Sequence, residues 1–253
     1  MKVVIYVGRE DRNFAVNTPK ALIELGDRPI LWHIMKYYSS YGHKDFILVC
    51  NTRADLVKEF FANYALKCCD VTIDLKEKTV TPLANDVEDW KVTIVDVGKK
   101  TSTGGAIKKV QHLIGNEPFM FTYGDGLSDI DIDALISHHV RHKKMITISS
   151  ITASQKFGII DFNDNGSVIG FREKDNMEST VNGGFMVINP EAFELIDDDP
   201  TTAFEREPMV TAVACKQVTA YKHKGSWRSL DSYYDLDELN HMLETGKAFW
   251  KKW

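Results

Sequence analysis

Apolar residues along this chain fall into short runs that alternate with segments of helical spacing, most regularly in the first half. The run Val3-Val-Ile-Tyr-Val7 predicts a first strand over Lys2 to Val7. Pro29 to Tyr41 predicts a helix, with proline in a first turn where its missing N–H is tolerated. Phe46-Ile-Leu-Val49 marks a strand over Asp45 to Cys50. Leu56, Val57, Phe60, Phe61 and Tyr64 then repeat close to helical spacing over Ala54 to Leu66. Two polar-interrupted strands follow, around Val71 to Leu75 and Lys91 to Asp96. Next comes a helix from about Thr103 whose inner face is Ile107, Val110 and Ile114. A strand over Phe119 to Tyr123 and a helix from Asp131 to His142 complete this half. Strands alternating with helices imply right-handed crossovers and a mainly parallel sheet flanked by helices.

The second half is richer in strands, predicted at Met145 to Thr152, Phe157 to Phe162, Val168 to Arg172 and Gly184 to Ile188. Helices are expected near Pro190 to Ile196 and Glu207 to Ala214, then a strand at Gln217 to Tyr221 and a last helix over Ser232 to Leu243. No linker, internal repeat or low-complexity tract interrupts the sequence, so one continuous α/β domain over 1–253 is expected.

Composition narrows the function. The 253 residues carry a net charge of −5, without the basic excess that marks a nucleic-acid surface. No apolar run approaches the ~18 residues needed to span a bilayer. The N-terminus reads as a strand rather than a signal peptide, so a cytoplasmic protein is expected. Cys50, Cys68, Cys69 and Cys215 have no metal-ligand or CxxC spacing and read as reduced, small apolar residues. His138 and His142 have a zinc-compatible spacing but no third ligand, and a solvated helix face fits them better.

The candidate chemistry starts at Phe121-Thr-Tyr-Gly-Asp-Gly-Leu-Ser-Asp129. Two glycines bracket Asp125 at the C-terminal end of a strand, where open α/β sheets place their ligand crevice. A carboxylate there suits Mg²⁺, which usually accompanies a phosphate substrate. The same residues also fit a plain turn, since Gly and Asp dominate turns. The loop Gly8 to Phe14 carries Arg9 and Arg12, with Lys20 beyond it, and such cations suit phosphates. With Gly8 as the sole glycine before Gly26, it is equally a solvated polar loop. Thr103-Gly104-Gly105 opens a helix and allows close ligand approach, or is simply a capped helix start. Lys174 ends a strand region, Asn182-Gly183-Gly184 enters another, and Trp227-Arg228-Ser-Leu-Asp231 offers a second isolated carboxylate. Asp231 serves equally as the cap of the last helix.

Taken in order, these segments resemble the sugar-phosphate nucleotidyltransferase family, most closely its glucose-1-phosphate cytidylyltransferase group. The resemblance runs nearly the whole chain. It rests on Pro29-Ile-Leu-Trp-His-Ile-Met35, Lys58-Glu-Phe-Phe-Ala-Asn-Tyr64, Thr103-Gly-Gly105, Phe121-Thr-Tyr-Gly-Asp-Gly126, Asn182-Gly-Gly-Phe185, Glu207-Pro208, His223-Lys-Gly225 and Gly246-Lys-Ala-Phe-Trp-Lys-Lys-Trp253. It implies a Rossmann-like fold of the glycosyltransferase-A type, with nucleotide binding mainly in 1–144 and acceptor binding and oligomerisation mainly in 145–253. The implied reaction moves a nucleoside monophosphate from an NTP to a phosphorylated acceptor and releases pyrophosphate. By position, Asp125 and Asp231 would hold Mg²⁺, Lys20 and Arg12 would act on the triphosphate, and Lys174 would hold the acceptor phosphate. Gly8, Arg9, Thr103, Gly104, Gly105, Tyr123 and Gly124 would line the nucleotide, with CTP favoured. Lys174, Asp175, Asn182, Gly183, Trp227 and Arg228 would line the acceptor. The resemblance also implies a homo-oligomer, with the Trp-rich C-terminal end as a contact, and a place in surface-polysaccharide or capsule precursor synthesis.

Three departures stand out. The family's glycine-rich first loop, with its Gly-x-Gly-Thr-Arg motif, is here the shorter Val7-Gly-Arg-Glu-Asp-Arg-Asn-Phe14. Its Glu-Lys-Pro is Glu173-Lys174-Asp175, and its Thr-Gly-Gly-Arg ends in Ala106. Its Phe-Trp-Gln-Pro-Met-Asp-Thr reads Ser226-Trp-Arg-Ser-Leu-Asp-Ser232. The added Asp175 and Arg228 suggest a charged acceptor, such as phosphoglutamine, in place of a neutral hexose phosphate. The poor first loop leaves a second reading open: a nucleotide or sugar-nucleotide binder that has lost turnover.

Overall fold

The computed structural model describes residues 1–8, 18–83, 87–153, 159–162, 168–172 and 179–253, with side chains described outside 153–179. Its central sheet has seven strands, in the spatial order Val218–Lys222, Ile146–Ala153, Ser179–Ile188, Phe119–Tyr123, Val3–Val7, Asp45–Cys50 and Lys91–Asp96. Ser179–Ile188 runs antiparallel to both its neighbours, and every other adjacent pair is parallel. The sheet is the mixed, mainly parallel one that the alternating pattern implies.

The chain begins mid-sheet and builds outward through Asp45–Cys50 and Lys91–Asp96. It then returns to the other side of the first strand as Phe119–Tyr123. Connections from two strands that leave in opposite directions open a crevice beyond their C-terminal ends. Gly8 and Gly124 follow directly on the two strands that flank this reversal.

Strands covered on both faces read as continuous apolar runs, which is why the central strands are nearly all hydrophobic. Val3, Ile5 and Val7 face a layer formed with Ile30, Leu31, Ile34 and Tyr38 of the helix Ile30–Ser40, closed by Trp250. Val4, Ile47, Val49 and Phe121 face the other layer, with Ile107, Val110, Ile114, Phe193 and Phe204.

Several expectations needed correction. The helix expected over Ala54 to Leu66 is two, Ala54–Ala62 and Tyr64–Cys68. They break at Asn63, whose side-chain amide donates to Glu59 O at 3.0 Å and competes with the backbone ladder. The helix from Thr103 likewise divides, at Val110, into Thr103–Lys109 and Gln111–Ile114. Val71–Asp74 lies outside the central sheet and pairs with an unexpected strand, Thr79–Pro82. Asp74 Oδ1 accepts from the Lys76 and Glu77 amides and turns the chain between them. The segment after Asn189 is a 3₁₀ helix, Pro190–Leu195, and Ser179–Ile188 starts five residues earlier than expected. A bulge at Gly183 and Gly184 allows that extension: Gly184 takes φ +80°, and the Phe185 amide turns to Ser149 Oγ at 3.1 Å.

The C-terminal end packs against the helix Ile30–Ser40. Trp250 is fully buried within its own chain, with its indole N–H donating to His33 Nδ1 at 3.3 Å. Trp253 packs edge-on against Trp32, with ring centroids 5.7 Å apart. The tail packs on its own helix and leaves Trp253 37% exposed. His138 and His142 stack with centroids 3.9 Å apart, each bonded elsewhere, to Thr219 and to the His138 carbonyl. The four cysteines are free, and no helix among the described residues is long and apolar enough to cross a membrane.

Candidate active site

Lys20 leads the 3₁₀ turn Lys20–Leu22, and its side chain runs beneath the crevice, 4% exposed. Its Nζ donates to Asp125 Oδ2 at 3.0 Å and to Asp231 Oδ1 at 2.6 Å. Burial lowers a lysine's pKa. Here the charges and hydrogen bonds of the two aspartates outweigh it and hold the ammonium above its ordinary value. Burial pushes the Asp231 carboxyl up, but hydrogen bonds from Lys20 and Ser229 prevail and hold it down.

Asp125 and Asp231 are distant in sequence and meet through a small ribbon that the sequence reading missed. Gly126–Ser128 pairs antiparallel with Trp227–Ser229, and the Leu230 amide donates to Asp125 O at 2.9 Å. The ribbon is locked at its far end, where Asp129 Oδ1 accepts from the Ser226 amide at 2.7 Å and meets His223 Nε2 at 2.9 Å. Gly225 has no room for a side chain, since a Cβ would come 2.3 Å from that oxygen. At the other end Asp231 is not the helix cap. Ser232 caps Tyr233–Glu244 by accepting from the Asp235 amide, and the buried Asp235 carboxylate reaches back to the Ser232 hydroxyl and the Asp231 amide. Asp231 is thereby free to face Lys20. The Ser-x-x-Asp spacing of 232–235 was the available signal for this arrangement.

Gly124 is required by packing as well as by the turn. A Cβ there would lie 3.2 Å from Tyr6 O and from Ala21 Cβ. Gly8 has less room still, because the Tyr6 ring lies across its α-carbon. Beside them opens a cleft of about 410 Å³, lined by Tyr6, Gly8, Lys20, Ala21, Thr103, Tyr123, Gly124, Asp125 and Glu205. A larger surface depression, about 810 Å³, lies beside Lys108 and Lys109, but both ammonium groups are bonded to backbone carbonyls.

Of the expected nucleotide residues, Gly8, Thr103, Tyr123 and Gly124 line the cleft. Gly104 and Gly105 do not. They face the segment 200–204, where a Cβ would lie 2.8 Å from Thr202 O and 2.4 Å from Pro200 O respectively. These two glycines are small for the sake of that packing, and no ligand is needed to account for them. Gly183 O accepts from Trp227 Nε1 at 2.9 Å, which joins the ribbon to the bulged strand, with Asn182 exposed beside it. Arg228, next to Trp227 on a strand, alternates to the opposite face and is exposed. Arg9, Arg12, Lys174 and Asp175 lie outside the described residues. Glu205 was not anticipated; it precedes the Glu207–Ala214 helix and accepts from both Tyr123 and Thr103.

Two carboxylates and a buried ammonium thus meet at the switch point of a mainly parallel sheet, where α/β folds place their ligand crevice. The chain belongs to the nucleotidyl transferase family, whose model matches residues 13–248. It is 41% identical over 258 residues to glucose-1-phosphate cytidylyltransferase of Salmonella typhimurium, with the whole of both chains covered. It is 36% identical over 256 residues to a probable glucose-1-phosphate cytidylyltransferase of Bacillus subtilis, again over both whole chains. Its fold matches that of HddC from Yersinia pseudotuberculosis with a TM-score of 0.68 at 18% identity, over 96% of this chain and 99% of that one. A UDP-glucose pyrophosphorylase complexed with UDP-glucose matches equally, with a TM-score of 0.68 at 17% identity, over 97% and 98% of the two chains.

Proposed function

We propose that this protein is a cytidylyltransferase that moves CMP from CTP onto a small phosphorylated acceptor, a sugar 1-phosphate, and releases pyrophosphate. The observation that carries the reading is Lys20, buried between Asp125 and Asp231 at the sheet's switch point. Full-length similarity to proteins named glucose-1-phosphate cytidylyltransferase supports both the nucleotide and the acceptor. A charged acceptor such as phosphoglutamine, suggested by Asp175 and the exposed Arg228, is the second acceptor reading, and a screen of phosphate acceptors with CTP separates it from glucose 1-phosphate. The proposal extends to a role in surface-polysaccharide or capsule precursor synthesis, as the sequence resemblance implies. Residues 1–144 supply most of the cleft and one ribbon strand, and 145–253 add Glu205, Asp231 and the other ribbon strand, Trp227–Ser229.

The donor set suits Mg²⁺. Asp125 and Asp231 place carboxylate oxygens around one shared positive charge, the ligand type that a hard cation takes. No described group of three or more His, Cys, Asp or Glu side chains could hold a metal by itself, so substrate phosphate and water oxygens would complete the shell. When bound, Mg²⁺ would neutralise charge on the phosphates. The acceptor's phosphate oxygen attacks the α-phosphorus, the α–β P–O bond breaks, and pyrophosphate leaves. The attacking oxygen is already anionic at neutral pH, so no general base is needed. The protein's task is positioning and charge neutralisation. Lys20 supplies a buried cation for the triphosphate, and Gly8 and Gly124 keep the floor of the cleft low enough to approach it.

Asp125→Asn tests the reading. Mg²⁺-dependent pyrophosphate release from CTP and glucose 1-phosphate should fall by about 10³-fold or more, comparable to losing a principal electrostatic contact. Wild-type protein that binds CTP without releasing pyrophosphate with any sugar 1-phosphate would instead support a binder that has lost turnover.

A further inference from the structure

Two hydroxyls of the cleft end on one carboxylate. Tyr123 donates to Glu205 Oε1, and Thr103 donates to Oε2 at 2.6 Å. The Thr103 oxygen also accepts from the Phe204 amide at 2.9 Å, which ties the 200–204 segment to the helix start. Both hydroxyls are thus committed to Glu205. Each carboxylate oxygen has acceptor capacity for two hydrogen bonds and gives one to a hydroxyl, so the group left to meet a ligand is the exposed carboxylate.

An anion in a cleft that must admit a polyphosphate is unfavourable unless the ligand offers it N–H or O–H donors. Tyr123 stands two residues before Asp125, and its full side chain separates Glu205 from the strand end where Lys20 and Asp125 meet. A triphosphate held at Lys20 would leave Glu205 a tyrosine side chain's length from the phosphates, within reach of the nucleoside's base. Carboxylates read cytosine by accepting from its exocyclic amine, and uracil presents a carbonyl oxygen at that position.

We infer that Glu205 determines the base: its carboxylate accepts a hydrogen bond from the 4-amino group of cytosine and disfavours uracil, whose O4 would set one acceptor against another. The inference rests on the cytidylyl reading above and adds the residue that selects the nucleotide.

The test measures kcat/KM for pyrophosphate release with CTP, UTP and the triphosphate of the pyrimidin-2-one riboside, which is cytidine without its 4-amino group. Wild type, Glu205→Gln and Glu205→Ala are compared, with thermal melts to establish folding. Wild type should prefer CTP, and the CTP-to-UTP ratio should fall about 10- to 100-fold in both variants. Removing the amino group from the ligand should cost wild type a similar factor and the variants little. That ligand arm uses unaltered protein, so it decides the matter even if a variant fails to fold. An unchanged ratio in a folded variant, an equal loss for both nucleotides, or a wild type indifferent to the 4-amino group overturns the role of Glu205 alone. A wild type that turns over no pyrimidine triphosphate, or prefers a purine one, overturns the cytidylyl reading and this inference with it.

Discussion

Lys20→Met removes the ammonium from between Asp125 and Asp231 while keeping most of the side chain's volume. Each hydrogen bond to a charged group contributes roughly 1.5–3 kcal/mol. Asp231 is 60% exposed and Asp125 30%, so water takes over much of their solvation in the variant. Lys20 itself is only 4% exposed, and losing the desolvation cost of its charge offsets part of the remainder. The net loss in Mg²⁺-free buffer at neutral pH should be about 1–3 kcal/mol. For a domain of this length that is a fall in Tm of about 2–12 °C. Two aspartates left without their cation should bind a substitute more readily. Millimolar MgCl₂ should therefore raise the variant's Tm more than wild type's, in paired thermal melts with EDTA or with added Mg²⁺. Turnover should drop about 10²- to 10³-fold, because the triphosphate loses its buried cation. A variant that melts with wild type in EDTA, or Mg²⁺ that stabilises wild type more than the variant, would refute the shared-charge argument.

The same ion triad sets a pH window. Lys20's raised pKa contributes stability that is complete below the ordinary lysine value of 10.5 and is lost as pH rises through the folded value. Asp231's lowered pKa contributes stability that is present above the ordinary value of 3.8 and is lost as pH falls through the folded value. Denaturant midpoints should form a plateau between these limits, and Lys20→Met should flatten the alkaline edge; an unchanged edge would show that Lys20 does not set it. Gly105→Ala should destabilise by about 1–3 kcal/mol, because its Cβ would meet Pro200 O at 2.4 Å. Its CTP-to-UTP preference should stay as in wild type, which steady-state kinetics on the folded variant would check.

The elements that were readable in advance are those whose signal is local. The apolar runs at Val3–Val7, Asp45–Cys50 and Phe119–Tyr123 lie inside a sheet covered on both faces, so burial wrote them directly into composition. Short polar strands were harder. Gly126–Ser128 and Trp227–Ser229 are three residues each, and Thr79–Pro82 is wholly exposed, so none carries a periodic pattern long enough to recognise. The helix breaks at Asn63 and Val110 fall within otherwise regular apolar spacing; at Asn63 the side-chain amide competes for Glu59 O, and at Val110 the backbone N–H turns to Ile107 O.

Within the candidate site, Asp125 between its glycines and Lys20 after the first loop stood out from residue type and local order alone. What joins them does not. Lys20 meets its carboxylates 105 and 211 positions away, across a strand order that reverses at the first strand. Glu205 lines the cleft beside a 200–204 segment that Gly104 and Gly105 let close on the helix start, so those two glycines make room for the chain. The sequence by itself determined the layered α/β architecture and the residue types of a phosphate-handling site, since periodicity and turn chemistry act between near neighbours. Only the tertiary structure decided which carboxylates share Lys20 and that Glu205 lines the same cleft, because those meetings depend on strand order and close packing between segments far apart in the chain.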